Sequence, residues 1–259
     1  MGNRPIGMFD SGVGGLTVYK EVKKTFPNEQ IIYIGDTKRF PYGSKTKENI
    51  IKASKRCVEF LISKNVKEII IACGTATSRA IDTLKVTYDT PITGIIEPTV
   101  EYIKRMNYKN VGVIATRGTI ESNSWKINLD SKISNINVYN QECPLLAPMA
   151  EEGWIKNEVA KLTIKEYLKN FENIKLDALI LGCTHYPLFE DIIKEYLPNV
   201  EIINTGKVIA KQMEQSREKI KENITKDDKF FITDTQCNFE AVAKKILGKD
   251  IKIEGIDVG

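Results

Sequence analysis

Two apolar stretches of this 259-residue chain end in the same way. IIIACGTATS (residues 69–78) and LILGCTHYPLF (residues 179–189) each run into Ala or Gly, then Cys, then Thr within two residues, and they place Cys73 and Cys183 110 positions apart. Taken singly, each cysteine reads as a small buried residue, since free Cys is among the most buried types. The repeated grammar favours a pair of working thiols. A thiol at a helix N-terminus has its thiolate stabilised by the helix dipole and by nearby N–H donors, which suits it to acid–base chemistry.

His185, the only histidine, stands two residues after Cys183. On a strand end, residues i and i+2 face the same side, so the imidazole is expected beside that thiol, exchanging a proton with it. Structural packing of the ring is the competing reading. A metal site is not expected, because Cys-x-His alone is a poor zinc signature. FDSGVGGLTV (residues 9–18) offers Asp10 and Ser11 before three glycines, but neither G-x-G-x-x-G nor G-x-x-x-x-G-K-[ST] is present, which excludes a dinucleotide or phosphate loop. GDTKRFPYGSK (residues 35–45) reads as a site-lining loop or an ordinary surface turn. CPLLAPMAEEG (residues 143–153) places Glu151 and Glu152 ahead of a long helix, where acids commonly complement the dipole.

The elements that position these residues follow from periodicity. Short apolar runs (IGMF, IIYIG, EIIIAC, GVIAT, ALILGC, VEIINT) alternate with amphipathic segments, the rhythm of an α/β protein with mostly parallel sheet. A helix is expected from about Asn157 to Glu172, and a very polar helix in the last third, before FFITD and IEGIDV. Ligands of such sheets collect beyond the carboxyl ends of the strands, where both cysteines fall. Two similar α/β lobes, each offering one such strand end, explain the echo.

Composition narrows the class. The content is 42% hydrophobic and 28% charged, with no 18-residue apolar run and no signal-peptide pattern at MGNRPIG, so a soluble cytoplasmic protein without a membrane partner is expected. The net charge of +4 comes from 38 basic and 34 acidic residues scattered along faces such as KTKENIIKASKR and EQSREKIKENITKDDK. No aromatic residues interleave with a basic stripe, so nucleic acid is not an expected partner. Five widely spaced cysteines fit reduced thiols rather than a disulfide framework.

DSGVGGLTV, GDTKRFPYG, ACGTATS, IIEP, ATRGTIES, CPLLAPMAEEG and LGCTHYPLF, in this order over residues 5–205, resemble the glutamate racemases of the cofactor-independent aspartate/glutamate racemase superfamily. The resemblance implies two pseudosymmetric α/β lobes, residues 1–97 with 208–259 and residues 98–207, with the site between them. It implies no cofactor, an amino-acid substrate and a homodimer. It makes Cys73 the base towards the D-isomer and Cys183 the base towards the L-isomer, with Asp10 assisting on the Cys73 side and Glu151 with His185 on the Cys183 side. Asp10, Ser11, Tyr42, Gly43, Gly74, Thr75, Thr184 and His185 are the implied substrate contacts, and peptidoglycan synthesis the implied use of the product.

Three positions depart from the family pattern. Gly74 stands where Asn is usual, Asn204 where Asp is usual, and Trp125 where Tyr is common. Loss of the amide at position 74 is expected to leave space that a water fills, so that restoring it, Gly74→Asn, strengthens glutamate binding. The alternatives are a racemase of the same mechanism for another amino acid, such as aspartate, and a catalytically poor homologue with a binding or regulatory role.

Overall fold

The computed structural model describes residues 4–216 and 227–259. Part of the polar stretch EQSREKIKENITKDDK, and the first three residues of MGNRPIG, lie outside the described residues. In chain order the regular elements are β1 (Ile6–Asp10), α1 (Leu16–Thr25), β2 (Ile31–Gly35), α2 (Lys47–Ser63), β3 (Glu68–Ile71), α3 (Gly74–Thr87), β4 (Ile92–Gly94) and α4 (Ile96–Met106). There follow β5 (Asn110–Ala115), α5 (Arg117–Glu121), α6 (Ser124–Lys132), β6 (Asn137–Glu142), α7 (Leu146–Glu151), α8 (Glu158–Leu168), β7 (Ala178–Leu181), α9 (Glu190–Tyr196) and β8 (Glu201–Asn204). The chain closes with α10 (Thr205–Ser216), β9 (Lys229–Ile232), α11 (Phe239–Leu247) and β10 (Ile253–Gly255).

The strands form two sheets, one ordered β10-β9-β2-β1-β3-β4 and the other β6-β5-β7-β8, and every pairing is parallel. Helices cover both faces of each sheet, so β1, β2 and β7 are buried along their whole length and read as continuous apolar runs. In β1, Ile6 and Met8 join a cluster with α1, α10 and α11, while Phe9 points to the opposite cluster with α2 and α3. The buried positions of α2, Ile50, Ala53, Ser54, Cys57, Val58 and Leu61, keep the three- and four-residue spacing of one helical face. Thr46 caps that helix by accepting the Asn49 N–H.

The long helix expected from Asn157 is shorter than its pattern suggests: α8 ends at Leu168 and a 3-10 turn, Lys169–Phe171, follows. α10 bridges the two halves, placing Ile209, Ala210 and Met213 in the cluster under β1 and Val208 in the cluster under β5 and β7. Asn204 caps it, accepting the Gly206 and Lys207 N–H groups at 2.9 and 3.3 Å, a structural role. Among the described residues no helix is long and apolar enough to cross a membrane.

Asp228 ties α1, β2 and the approach to β9 together. It accepts the Tyr19 hydroxyl at 2.6 Å, the Lys23 ammonium at 3.0 Å and the Ile31 N–H at 2.8 Å. Asp228→Ala leaves these donors without their acceptor and is expected to lower unfolding free energy by about 1–3 kcal/mol, with Tyr19→Phe costing about 1 kcal/mol, both read from urea unfolding midpoints.

Candidate active site

Both thiols emerge at carboxyl ends of parallel strands. Cys73 follows β3 and caps α3, where its sulfur accepts the Ala76 N–H at 3.4 Å and its thiol reaches the Ser11 hydroxyl at 3.7 Å. Only 5% of the residue is exposed. Burial pushes its pKa up to about 12, the nearby Asp10 adds to the rise, and the Ala76 N–H and Ser11 hydroxyl oppose it. The field of Cys183 also raises it, and the chain neighbours of the two thiols, Gly74 and Gly182, lie in contact.

Cys183 follows β7, but no α-helix starts there. The chain bends after Leu181 into a four-residue 3-10 turn, Tyr186–Phe189, capped by His185. The echo between the two stretches therefore extends to the strand and thiol and not to the helix N-terminus. His185 does lie beside Cys183, with Nδ1 3.7 Å from Sγ, through this bend rather than through strand alternation. Its Nε2 meets Glu151 Oε1 at 2.7 Å. Burial acts to lower the imidazole pKa, but the hydrogen bonds to Cys183 and Glu151 outweigh it and hold the pKa well above the ordinary value of 6.5.

Glu151 is the last residue of α7, not part of the first turn of a long helix. An acid there opposes the helix dipole. Donors from elsewhere compensate: His185, and the Val13 N–H of the glycine turn at 3.0 Å. Glu152 is exposed, which makes Glu151 the carboxylate of the pair that belongs to the site.

Asp10 ends β1 and is wholly buried. Its oxygens accept the Gly12 N–H at 3.0 Å and the Thr184 hydroxyl at 3.1 Å, and burial raises its pKa. Its field acts on Cys73 while its hydrogen bond runs to the Cys183 side, so it spans both. The turn between β1 and α1 must be bare to let this happen. A Cβ on Gly12 would stand 2.5 Å from Glu151 Oε1, and one on Gly14 2.5 Å from His185 Nδ1.

The remaining expected contacts divide. The Tyr42 hydroxyl donates to Asp36 at 2.6 Å and so faces the loop interior, leaving only its backbone for a ligand. Asp36, fully buried, also accepts Arg39 at 2.9 Å and Thr233 at 2.8 Å, which fixes the loop. Gly43 packs on Thr116 and Gly118. Thr75 meets two residues that sequence reasoning missed: its hydroxyl lies 2.8 Å from that of Thr116 and 3.2 Å from that of Thr119, which are themselves 2.9 Å apart. The available signal was ATRGTIES, hydroxyl residues following the β5 strand end. Thr184 also accepts the Thr17 hydroxyl through its carbonyl at 2.8 Å.

Gly74 leaves no space. A Cβ there would overlap the Gly182 carbonyl oxygen and stand 3.2 Å from its carbon, so the first residue of α3 already touches the strand end that carries Cys183. The expected water-filled gap is overturned, and with it the expectation that Gly74→Asn strengthens binding. Among the described residues no group of three or more His, Cys, Asp or Glu side chains is placed to hold a metal ion.

Residues 6–213 match the Asp/Glu/Hydantoin racemase family. The glutamate racemase of Persephonella marina is 42% identical over 254 residues, covering 98% of this chain and 97% of the relative, and that of Sulfurihydrogenibium sp. is 44% identical over 256 residues with the same coverage. The crystal structure of glutamate racemase from Francisella tularensis in complex with D-glutamate superposes with a TM-score of 0.91 at 37% identity, covering 99% of this chain and 98% of that one.

Because the chain has one histidine, its imidazole can be followed by NMR without assignment. His185 is expected to remain protonated through pH 6.5 and to titrate only at higher pH, and Glu151→Gln to move that titration downward. A folded-state pKa above the unfolded one means that the pair's stabilisation is complete below about pH 6.5 and is lost as pH rises through the folded value. Titration of wild-type His185 at or below 6.5 contradicts the paired imidazolium.

Proposed function

Since the chain belongs to the Asp/Glu/hydantoin racemase family, we propose that it interconverts L- and D-glutamate by moving a proton on and off Cα between Cys73 and Cys183. One observation carries this reading. Two buried thiols at strand ends of different sheets are brought together where Gly74 meets the Gly182 carbonyl, each with its own polar support: Ser11 and the α3 N-terminus for Cys73, and His185 with Glu151 for Cys183.

Inversion removes a proton from one face of Cα and returns one to the other, which two flanking groups accomplish and one group does poorly. Cys73 takes the proton from the D-isomer while Cys183 supplies one to the opposite face, and the roles reverse for the L-isomer. In the resting site Cys73 is a thiol, held so by burial and by Asp10. A substrate ammonium beside Asp10 offsets that carboxylate's field and so eases formation of the thiolate. His185, held protonated by Glu151, stabilises the Cys183 thiolate and restores its proton. The carbanion is met by fixed donors, the N–H groups that open α3 and the Ser11 hydroxyl, which need no reorganisation as charge develops; Thr75 offers a hydroxyl that turns towards the substrate, and Thr184, whose hydroxyl is given to Asp10, contributes its backbone. The loop at Tyr42 and Gly43 contributes backbone groups to the same substrate.

In this reading residues 1–97 with 208–259 act as one lobe and 98–207 as the other, closing over the amino acid. The enzyme works in the cytoplasm as a homodimer and supplies D-glutamate for peptidoglycan.

Cys73→Ala and Cys183→Ala are each expected to abolish racemisation while the circular dichroism spectrum and unfolding midpoint stay near wild type. During wild-type turnover in deuterium oxide, deuterium is expected at Cα of the inverted product. Near-normal racemisation by either single variant excludes the two-thiol mechanism.

A further inference from the structure

The peptide that joins Gly12 to Val13 is bonded at both ends. Its carbonyl accepts the Tyr33 hydroxyl at 2.6 Å, and its N–H donates at 3.0 Å to Glu151 Oε1, the same oxygen that meets His185 Nε2 at 2.7 Å. We infer that Tyr33 is a positioning residue for Cys183: through this one peptide it aims the Glu151 carboxylate at His185, and so sets the imidazole that serves the thiol. This deepens the racemase reading and rests on it.

The parts of this line are stiff. A trans peptide is planar, with C=O and N–H pointing opposite ways, so a hydroxyl that fixes one end also fixes the other. Tyr33 lies on β2, fully buried, and its ring packs against Phe230 and Phe239 with centroids 6.3 and 6.4 Å away, which seats the hydroxyl. Burial and the fields of Asp10, Glu151 and Cys73 hold its pKa well above the ordinary value of 10, so it stays a donor. Residue 12 must be bare to let Glu151 approach, and a glycine restrains its own backbone least. The peptide that Glu151 depends on therefore needs an anchor from outside the turn, and β2 supplies it. Hydrogen bonds in line also polarise one another, so a hydroxyl on the carbonyl makes the Val13 N–H a better donor.

The reach of Tyr33 is selective. The Gly12 N–H that serves Asp10 belongs to the preceding peptide. Cys73 takes its bonds from the Ala76 N–H and the Ser11 hydroxyl, neither of which is bonded to Tyr33. Loss of the Tyr33 hydroxyl is felt at Cys183 before it is felt at Cys73.

Chloride release from 3-chloroglutamate separates the two thiols because it needs only one of them. The thiolate takes the Cα proton, the C–H electron pair forms the Cα=Cβ bond, and chloride departs with the C–Cl pair; no proton is delivered to the opposite face. Cys183 is the base for the L configuration at Cα and Cys73 for the D. For Tyr33→Phe in the full chain, which keeps the ring, kcat for glutamate racemisation is expected to fall about ten-fold in both directions with KM within about three-fold of wild type. Chloride release from the L substrate is expected to fall about ten-fold as well, while release from the D substrate stays within about three-fold. Equal loss from both enantiomers in a folded variant overturns the inference, because Tyr33 then supports the seam as a whole. Racemisation within about three-fold of wild type overturns it too. If Tyr33→Phe does not fold, folded Phe239→Leu, which unseats the Tyr33 ring, decides: the same L-over-D asymmetry is expected, and its absence overturns the inference. A wild-type protein that neither racemises glutamate nor releases chloride overturns the functional reading instead.

Discussion

A carboxylate removed from water must find its donors in the protein, and Asp10 finds them in both halves of the molecule. The Gly12 N–H comes from its own turn and the Thr184 hydroxyl from the other sheet. Glu151 reverses the arrangement, standing in the second half and accepting Val13 from the first. Satisfying two acids across one seam fixes how the sheets face each other. It also dictates the bare turn after β1, since Gly12 and Gly14 lie where Glu151 and His185 must pass.

The same seam explains the difference between the two thiols. Cys73 sits at the start of a fourteen-residue helix and takes its support from backbone N–H groups and a serine. Cys183 has only a short 3-10 turn behind it and takes its support from a charged imidazole. One thiol is held by fixed dipoles and the other by an imidazole–carboxylate pair.

Much of this was legible in the sequence. Alternating apolar runs announced parallel sheets, and the repeated Cys-Thr grammar pointed to Cys73 and Cys183, because buried strands and the residues just past them leave local marks. What lay beyond local marks did not show. Strand order, and the joining of β9, with β10 at its side, to β2, depend on a contact across about two hundred positions, and only family resemblance pointed there. Thr116 and Thr119 were missed because the third member of their cluster, Thr75, lies about forty positions away in another segment. Gly74 was misread because a missing side chain signifies either vacancy or crowding, and sequence does not distinguish them. Glu151 was read as lying ahead of the helix from Asn157, because the six-residue α7 that it ends is too short to show a helical period of its own.

The Thr75, Thr116 and Thr119 hydroxyls close a triangle in which each oxygen can give one hydrogen and receive one. Such a ring has two senses of circulation, clockwise and anticlockwise, that satisfy it equally well. Nothing in the three partners themselves selects one sense, so the ring presents no net dipole fixed in advance. Rotation about three C–O bonds converts one sense to the other, and the same rotations aim hydrogens outward when an anion comes within reach. The seam thus contains a polar element whose three members satisfy one another and reorient by bond rotation alone.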